Sequence, residues 1–254
     1  MEALTFPNAA GLTLAAHLWP APGDAGVALI HGFCNDKSSN GRFDRLGAAL
    51  QEAGITALAF DVSGCGASDD ADLSARTMIG DLQAACDQLR ARGCRRIGLF
   101  GNSLGGSVCL KAALPGIAAI AASGAGTAAT AYDWSRHFSA GQLDELEQTG
   151  AITEPVESAW RSSVSIGAEM LRDFTEPERA PRLEAIACPV LLLYGGDAGD
   201  AEEQSLLAGA RGNLHRLPQG SAIVVVPGAR HGLRERWDRA ITEVVPWLAG
   251  HLLR

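Results

Sequence analysis

The sequence predicts an α/β protein built on a doubly wound, mostly parallel sheet, and three observations point there. Apolar runs without polar alternation recur along the chain, segments of helical pattern lie between them, and the residues with chemical character follow the runs directly. Leu4-Thr5-Phe6 and Gly11-Leu12-Thr13-Leu14-Ala15-Ala16-His17-Leu18-Trp19 read as an opening antiparallel pair, and Pro20-Ala21-Pro22-Gly23-Asp24 leads onward. Strands are then expected at 27–30, 55–60, 96–100, 117–122, 190–194 and 222–226. Helices are expected between them, from Phe43 to Ala53, Met78 to Arg92 and Ser103 to Ala113. A βαβ series of this kind places its ligand site at the carboxyl ends of the strands.

Between Gly126 and about Arg182 the strand grammar stops. Ser139-Ala140-Gly141-Gln142 has capping-box spacing ahead of Leu143 and Leu146, and Val156, Trp160, Val164, Gly167, Leu171 and Phe174 recur at helical spacing. We therefore expect one domain over 1–254 with a short helical lid inserted at about 127–182. Such a lid would line an apolar pocket, with Trp134, Phe138, Trp160 and Phe174 as the candidate wall.

Composition narrows the function. With 254 residues and 47% apolar content the chain can bury a substantial core, and its net charge of −8 argues against a nucleic-acid partner or an anionic membrane surface. No stretch approaches the length of a membrane span. Met1-Glu2-Ala3-Leu4-Thr5-Phe6-Pro7 lacks the basic start and apolar core of a signal peptide, so a cytoplasmic address is the expectation. Cys34, Cys65, Cys86, Cys94, Cys109 and Cys188 lack the paired spacings that hold zinc or form a redox dithiol, and no phosphate loop or metal-ligand cluster is evident. The chemistry is expected to need neither cofactor nor metal.

That chemistry centres on Gly101-Asn102-Ser103-Leu104-Gly105, directly after the run Arg96-Ile97-Gly98-Leu99-Phe100. It is a G-x-S-x-G pattern, in which a serine on a tight strand-to-helix turn needs neighbours without side chains two residues before and two after. A nucleophilic serine also needs a base and a carboxylate to orient that base. Pro227-Gly228-Ala229-Arg230 delivers His231 after the last strand, and Gly195-Gly196-Asp197-Ala198-Gly199-Asp200 follows an earlier one. The chain order Ser, Asp, His differs from the orders used by the chymotrypsin-like and subtilisin-like proteases.

On these motifs, with His31-Gly32-Phe33 after the run from Val27 and Asp61-Val62-Ser63-Gly64-Cys65-Gly66-Ala67-Ser68 after the next, the chain resembles an alpha/beta hydrolase. The likeness is to the group of monoacylglycerol lipases, serine aminopeptidase-like enzymes and small bacterial feruloyl or cinnamoyl esterases. It implies an oxyanion site from the backbone N–H groups of Phe33 and Leu104, a bracing role for His31, and turn roles for Asp61, Gly64, Gly66 and Ser68. It also places the acid three residues after the strand-ending glycine, where this chain has Ala198; Asp197 is the favoured acid and Asp200 the alternative. The implied function is a serine hydrolase acting on a small carboxylic ester, with an aminopeptidase or thioesterase as alternatives. A non-catalytic small-molecule-binding protein on the same fold is the reading from another class.

Overall fold

The computed structural model describes residues 1–130 and 133–254. Strands β1 (Glu2–Pro7) and β2 (Thr13–Trp19) form the opening hairpin, followed by β3 (Ala25–Ile30), α1 (Arg42–Glu52), β4 (Thr56–Phe60), α2 (Ala75–Ala91), β5 (Arg96–Asn102), α3 (Leu104–Ala112) and β6 (Ile117–Ser123). An insertion then carries α4 (Ala140–Thr149), β7 (Ala151–Pro155), β8 (Ser163–Gly167) and α5 (Ala168–Thr175). The main body resumes with β9 (Val190–Gly195), α6 (Ala201–Asn213), β10 (Ala222–Val226) and α7 (Trp237–Leu252).

Eight strands make one sheet in the order β1-β2-β4-β3-β5-β6-β9-β10; β2 runs antiparallel to β1 and β4, and the remaining pairs are parallel. The central strands are buried along both faces, which explains runs such as Val27 to Ile30 and Val190 to Leu193 that lack polar alternation. One core forms under α2, α3 and the insertion, around Leu82, Val108, Ile120 and Tyr194. The opposite core lies under α1 and α7, where Phe43, Phe100 and Trp237 pack ring against ring.

The connections from β3 run first to β4 on one side, then to β5 on the other. The crevice at the carboxyl ends of β3 and β5 is therefore the topological switch point, where open α/β sheets bind ligands. Ile30 pairs with Gly101 at that edge, so His31-Gly32-Phe33 and Ser103 emerge side by side. At the neighbouring edge Val226 pairs with Gly195, which brings the segments after β9 and β10 to the same level.

The insertion differs in part from the expected helical lid, carrying the β7–β8 pair between its helices. Ser139 does cap α4, with the reciprocal Gln142 bonds of a capping box. The run from Val156 to Phe174, however, is a loop, strand β8 and helix α5: Val164 and Ile166 point inward while Ser163 and Ser165 are partly exposed, which is strand alternation. Arg161 ties the β7–β8 loop to the body by donating to the Gly66 and Ser68 carbonyls. Among the described residues, no helix is long and apolar enough to cross a membrane.

Candidate active site

Ser103 sits between β5 and α3 with φ 53° and ψ −119°, a conformation that a non-glycine residue adopts only under constraint. The constraint is close packing: a Cβ on Gly101 would run into the Gly105 carbonyl, and one on Gly105 would run into the Ile30 and His31 carbonyls. Backbone packing at both ends thus forces the serine outward. Its N–H donates to the Ser123 carbonyl at 2.7 Å, fixing the turn to β6.

His231 follows β10 and meets Ser103 at 2.7 Å between Nε2 and Oγ. Its Nδ1 lies 2.7 Å from Glu203 Oε2, so the ring carries its proton on Nδ1 and leaves Nε2 free to accept from the serine. Glu203 is 0% exposed; its other oxygen accepts from the Gly195 N–H at 2.6 Å, so both oxygens are engaged. Burial pulls the His231 pKa down, while the Glu203 hydrogen bond and charge, with Glu202 and Asp200 adding, push it up; the net direction is upward. Gly124, at φ 62°, makes room for the ring, since a Cβ there would lie 2.8 Å from His231 Cε1.

The carboxylate on the imidazole is therefore Glu203, from the first turn of α6, and neither Asp197 nor Asp200 from the loop. Asp197 points elsewhere, accepting from the Gly199 N–H at 2.9 Å and lying 3.4 Å from the Arg230 guanidinium. Asp200 caps α6 by accepting from the Glu203 N–H at 3.1 Å, and its second oxygen accepts from the backbone N–H of His231 at 2.8 Å. It holds the histidine's main chain and leaves the ring to Glu203. In the sequence, Asp200-x-x-Glu203 has the spacing of an N-cap and a third helical position, which marks a helix start and gives no sign of the contact with His231.

The surrounding loops are equally tied. His31 is fully buried; its Nδ1 donates to the Gly32 carbonyl at 2.8 Å and its Nε2 accepts from the Val62 N–H at 3.2 Å, while burial holds its pKa down. A Cβ on Gly32 would come within 3.3 Å of Ser103 Cβ, so this loop lies against the serine turn. Phe33 and Leu104 both face the cavity that contains Ser103, and the Leu104 N–H, first in α3, has no helical partner of its own. Asp61 accepts from the Lys37 and Ala67 N–H groups and pairs with the Lys37 ammonium at 2.7 Å, and Ser68 donates to the Asp61 carbonyl. Arg42 donates to the Gly232 carbonyl at 2.8 Å, pinning the histidine loop to α1.

A cavity of about 290 Å³ opens over Ser103 and His231. Trp134, Phe138 and Phe174 line it, with the Trp134 ring packed against both phenylalanines. Trp160 does not: it is 58% exposed at the β7–β8 loop and lies under the Lys37 ammonium. The cysteine thiols are free, and burial pushes those of Cys65 and Cys86 up to about 12, far from nucleophilic at neutral pH.

The profile of the alpha/beta hydrolase family matches residues 27–245. A search of curated proteins finds no match by sequence. Among solved structures, the chain is similar to the alpha/beta hydrolase GrgF from Penicillium sp. sh18, at 18% identity and TM-score 0.77 over 100% of this chain and 99% of that one. A monoacylglycerol lipase from Paleococcus ferrophilus aligns at 20% identity and TM-score 0.71 over 99% and 100%. A soluble variant of monoglyceride lipase from Saccharomyces cerevisiae aligns at 17% and 0.70 over 99% and 95%.

Proposed function

The chain belongs to the alpha/beta hydrolase family, and from that premise we propose that it is a serine hydrolase cleaving a small carboxylic ester through an acyl-enzyme on Ser103. The observation that carries this reading is the continuous relay from Ser103 Oγ to His231 Nε2 and from His231 Nδ1 to Glu203, each link 2.7 Å, at the floor of an apolar cavity.

In this mechanism His231 takes the Ser103 proton as Oγ attacks the ester carbonyl, and the resulting imidazolium is stabilised by the Glu203 carboxylate. The developing oxyanion is received by the N–H groups of Phe33 and Leu104. Collapse expels the alcohol, which takes the proton from His231. A water molecule then repeats the sequence on the acyl-enzyme, releasing the acid and restoring Ser103.

An ester is favoured over an amide by the lipases among the structural neighbours, and aminopeptidase or thioesterase action would use the same relay. The buried Glu203 supplies the carboxylate that the loop aspartates do not, which supports a working enzyme over a binding-only protein. Intact-mass measurement after exposure to a small fluorophosphonate tests the reading. The wild type should gain one adduct and Ser103→Ala none; an unlabelled wild type that also leaves short esters uncleaved would refute it.

A further inference from the structure

The cavity does not end as it begins. Ser107 and Lys111 on α3 continue at four-residue spacing from Ser103, which precedes the helix, and all three line the cavity, so the lysine stands about 12 Å from the serine in the helix direction. Val108, Leu206, Trp134, Phe138 and Phe174 give the stretch between them an apolar wall. At its far end Lys111 Nζ meets Asp173 Oδ1 at 2.5 Å, and Asp173 also lines the cavity. Asp173 is held in turn by the Ala75 N–H at 3.2 Å and lies 3.5 Å from Arg179, whose Nε is engaged by Glu176.

An ammonium has three donors, and the Asp173 bond uses one. An alkyl chain filling the cavity would strip water from this ion pair and give nothing in return. A carboxylate would meet an ammonium already balanced by Asp173, with Glu154 lining the same cavity. A neutral group that both donates and accepts, such as a hydroxyl or primary amide, fits both members of the pair. We propose that the Lys111–Asp173 pair is a specificity subsite, which selects a substrate whose one limb is an apolar chain ending in a neutral hydrogen-bonding group. This rests on the assignment of Ser103 as the reacting end.

The test separates binding from turnover. Ser103→Ala protein would be titrated calorimetrically with methyl esters of a chain of roughly eight carbons, the length suggested by the span along α3, ended by methyl, hydroxyl or carboxylate. Monoacetates of the matching diols and alcohols would probe the other limb. We expect the hydroxyl-ended ligand of one series to bind about tenfold more tightly than its methyl and carboxylate counterparts. Adding Lys111→Met should erase that preference and Lys111→Arg should retain it. Tightest binding of the methyl-ended ligands in both series, no binding by any ligand, or a hydroxyl preference that survives Lys111→Met would each overturn the proposal. Because the binding order is read without turnover, its failure is distinguishable from failure of the serine hydrolase reading, which fluorophosphonate labelling of the wild type tests separately.

Discussion

At the scale of single residues, Glu203 decides the pH behaviour of the site. The ring of His231 must be neutral to accept the Ser103 proton, and the Glu203 carboxylate holds its pKa above the ordinary histidine value of 6.5 against the downward pull of burial. The rising limb of kcat/KM should therefore lie above 6.5 in the wild type. Glu203→Gln removes the anion on the ring and leaves burial opposed only by the more distant charges of Glu202 and Asp200, so the limb should move to lower pH while the maximum falls by about 10⁴-fold, as expected for a lost orienting carboxylate. Asp197→Asn should change the maximum less than about threefold, because that side chain serves Gly199 and Arg230. A pH–rate profile of both variants checks this; an unmoved limb in Glu203→Gln, or a collapse in Asp197→Asn, would return the acid to the loop.

At the scale of elements, the site is a set of loops fastened at their backbones, and Asp200 is the fastening that joins two of them. Its carboxylate caps α6 through the Glu203 N–H and grips the main chain of His231, so it positions acid and base together. Asp200→Ala should lower kcat by about tenfold and stability by about 1 kcal/mol, the usual cost of a lost cap. Asp200→Asn keeps one acceptor oxygen and should recover part of either loss; wild-type turnover in Asp200→Ala would show that Glu203 and His231 hold their places unaided. The main elements were legible because the central strands of the sheet are buried on both faces and the helices between them keep a 3.6 period. Ser103 and His231 were legible because the first directly follows β5 and the second comes one short turn after β10. The acid was not, because Glu203 reaches the histidine from inside a helix, where an Asp-x-x-Glu spacing reads only as a cap. The β7–β8 hairpin was also hidden: five alternating residues around Val164 fall at i and i+4 spacing with the helix that follows, and a window that short does not separate the two periods.

At the scale of the whole molecule, the active face depends on a polar knot that lies away from the serine. Asp81 on α2 is fully buried and accepts from the Asn8 amide beyond β1 at 2.7 Å, and from the N–H and hydroxyl of Ser63, in the loop after β4, at 2.7 and 2.9 Å. Three segments distant in sequence thus meet at one carboxyl group, in the loop that also carries Val62, the donor to His31. Burial raises the Asp81 pKa above its ordinary 3.8, and the Asn8 and Ser63 hydrogen bonds offset only part of that. A carboxyl whose folded pKa lies above its unfolded value contributes stability below the unfolded value and loses that contribution as pH rises through the folded one. Asn8→Ala removes a donor that favours the charged form, so it pushes the folded pKa higher still. Its cost should appear where Asp81 is ionised, at about 1.5–3 kcal/mol near neutral pH for a hydrogen bond to a charged group. It should shrink below pH 3.8, where Asp81 is protonated in both folded and unfolded chains. Urea unfolding midpoints for both proteins at neutral and acid pH measure the difference; a destabilisation equal at the two would mean that Asn8 acts only by packing.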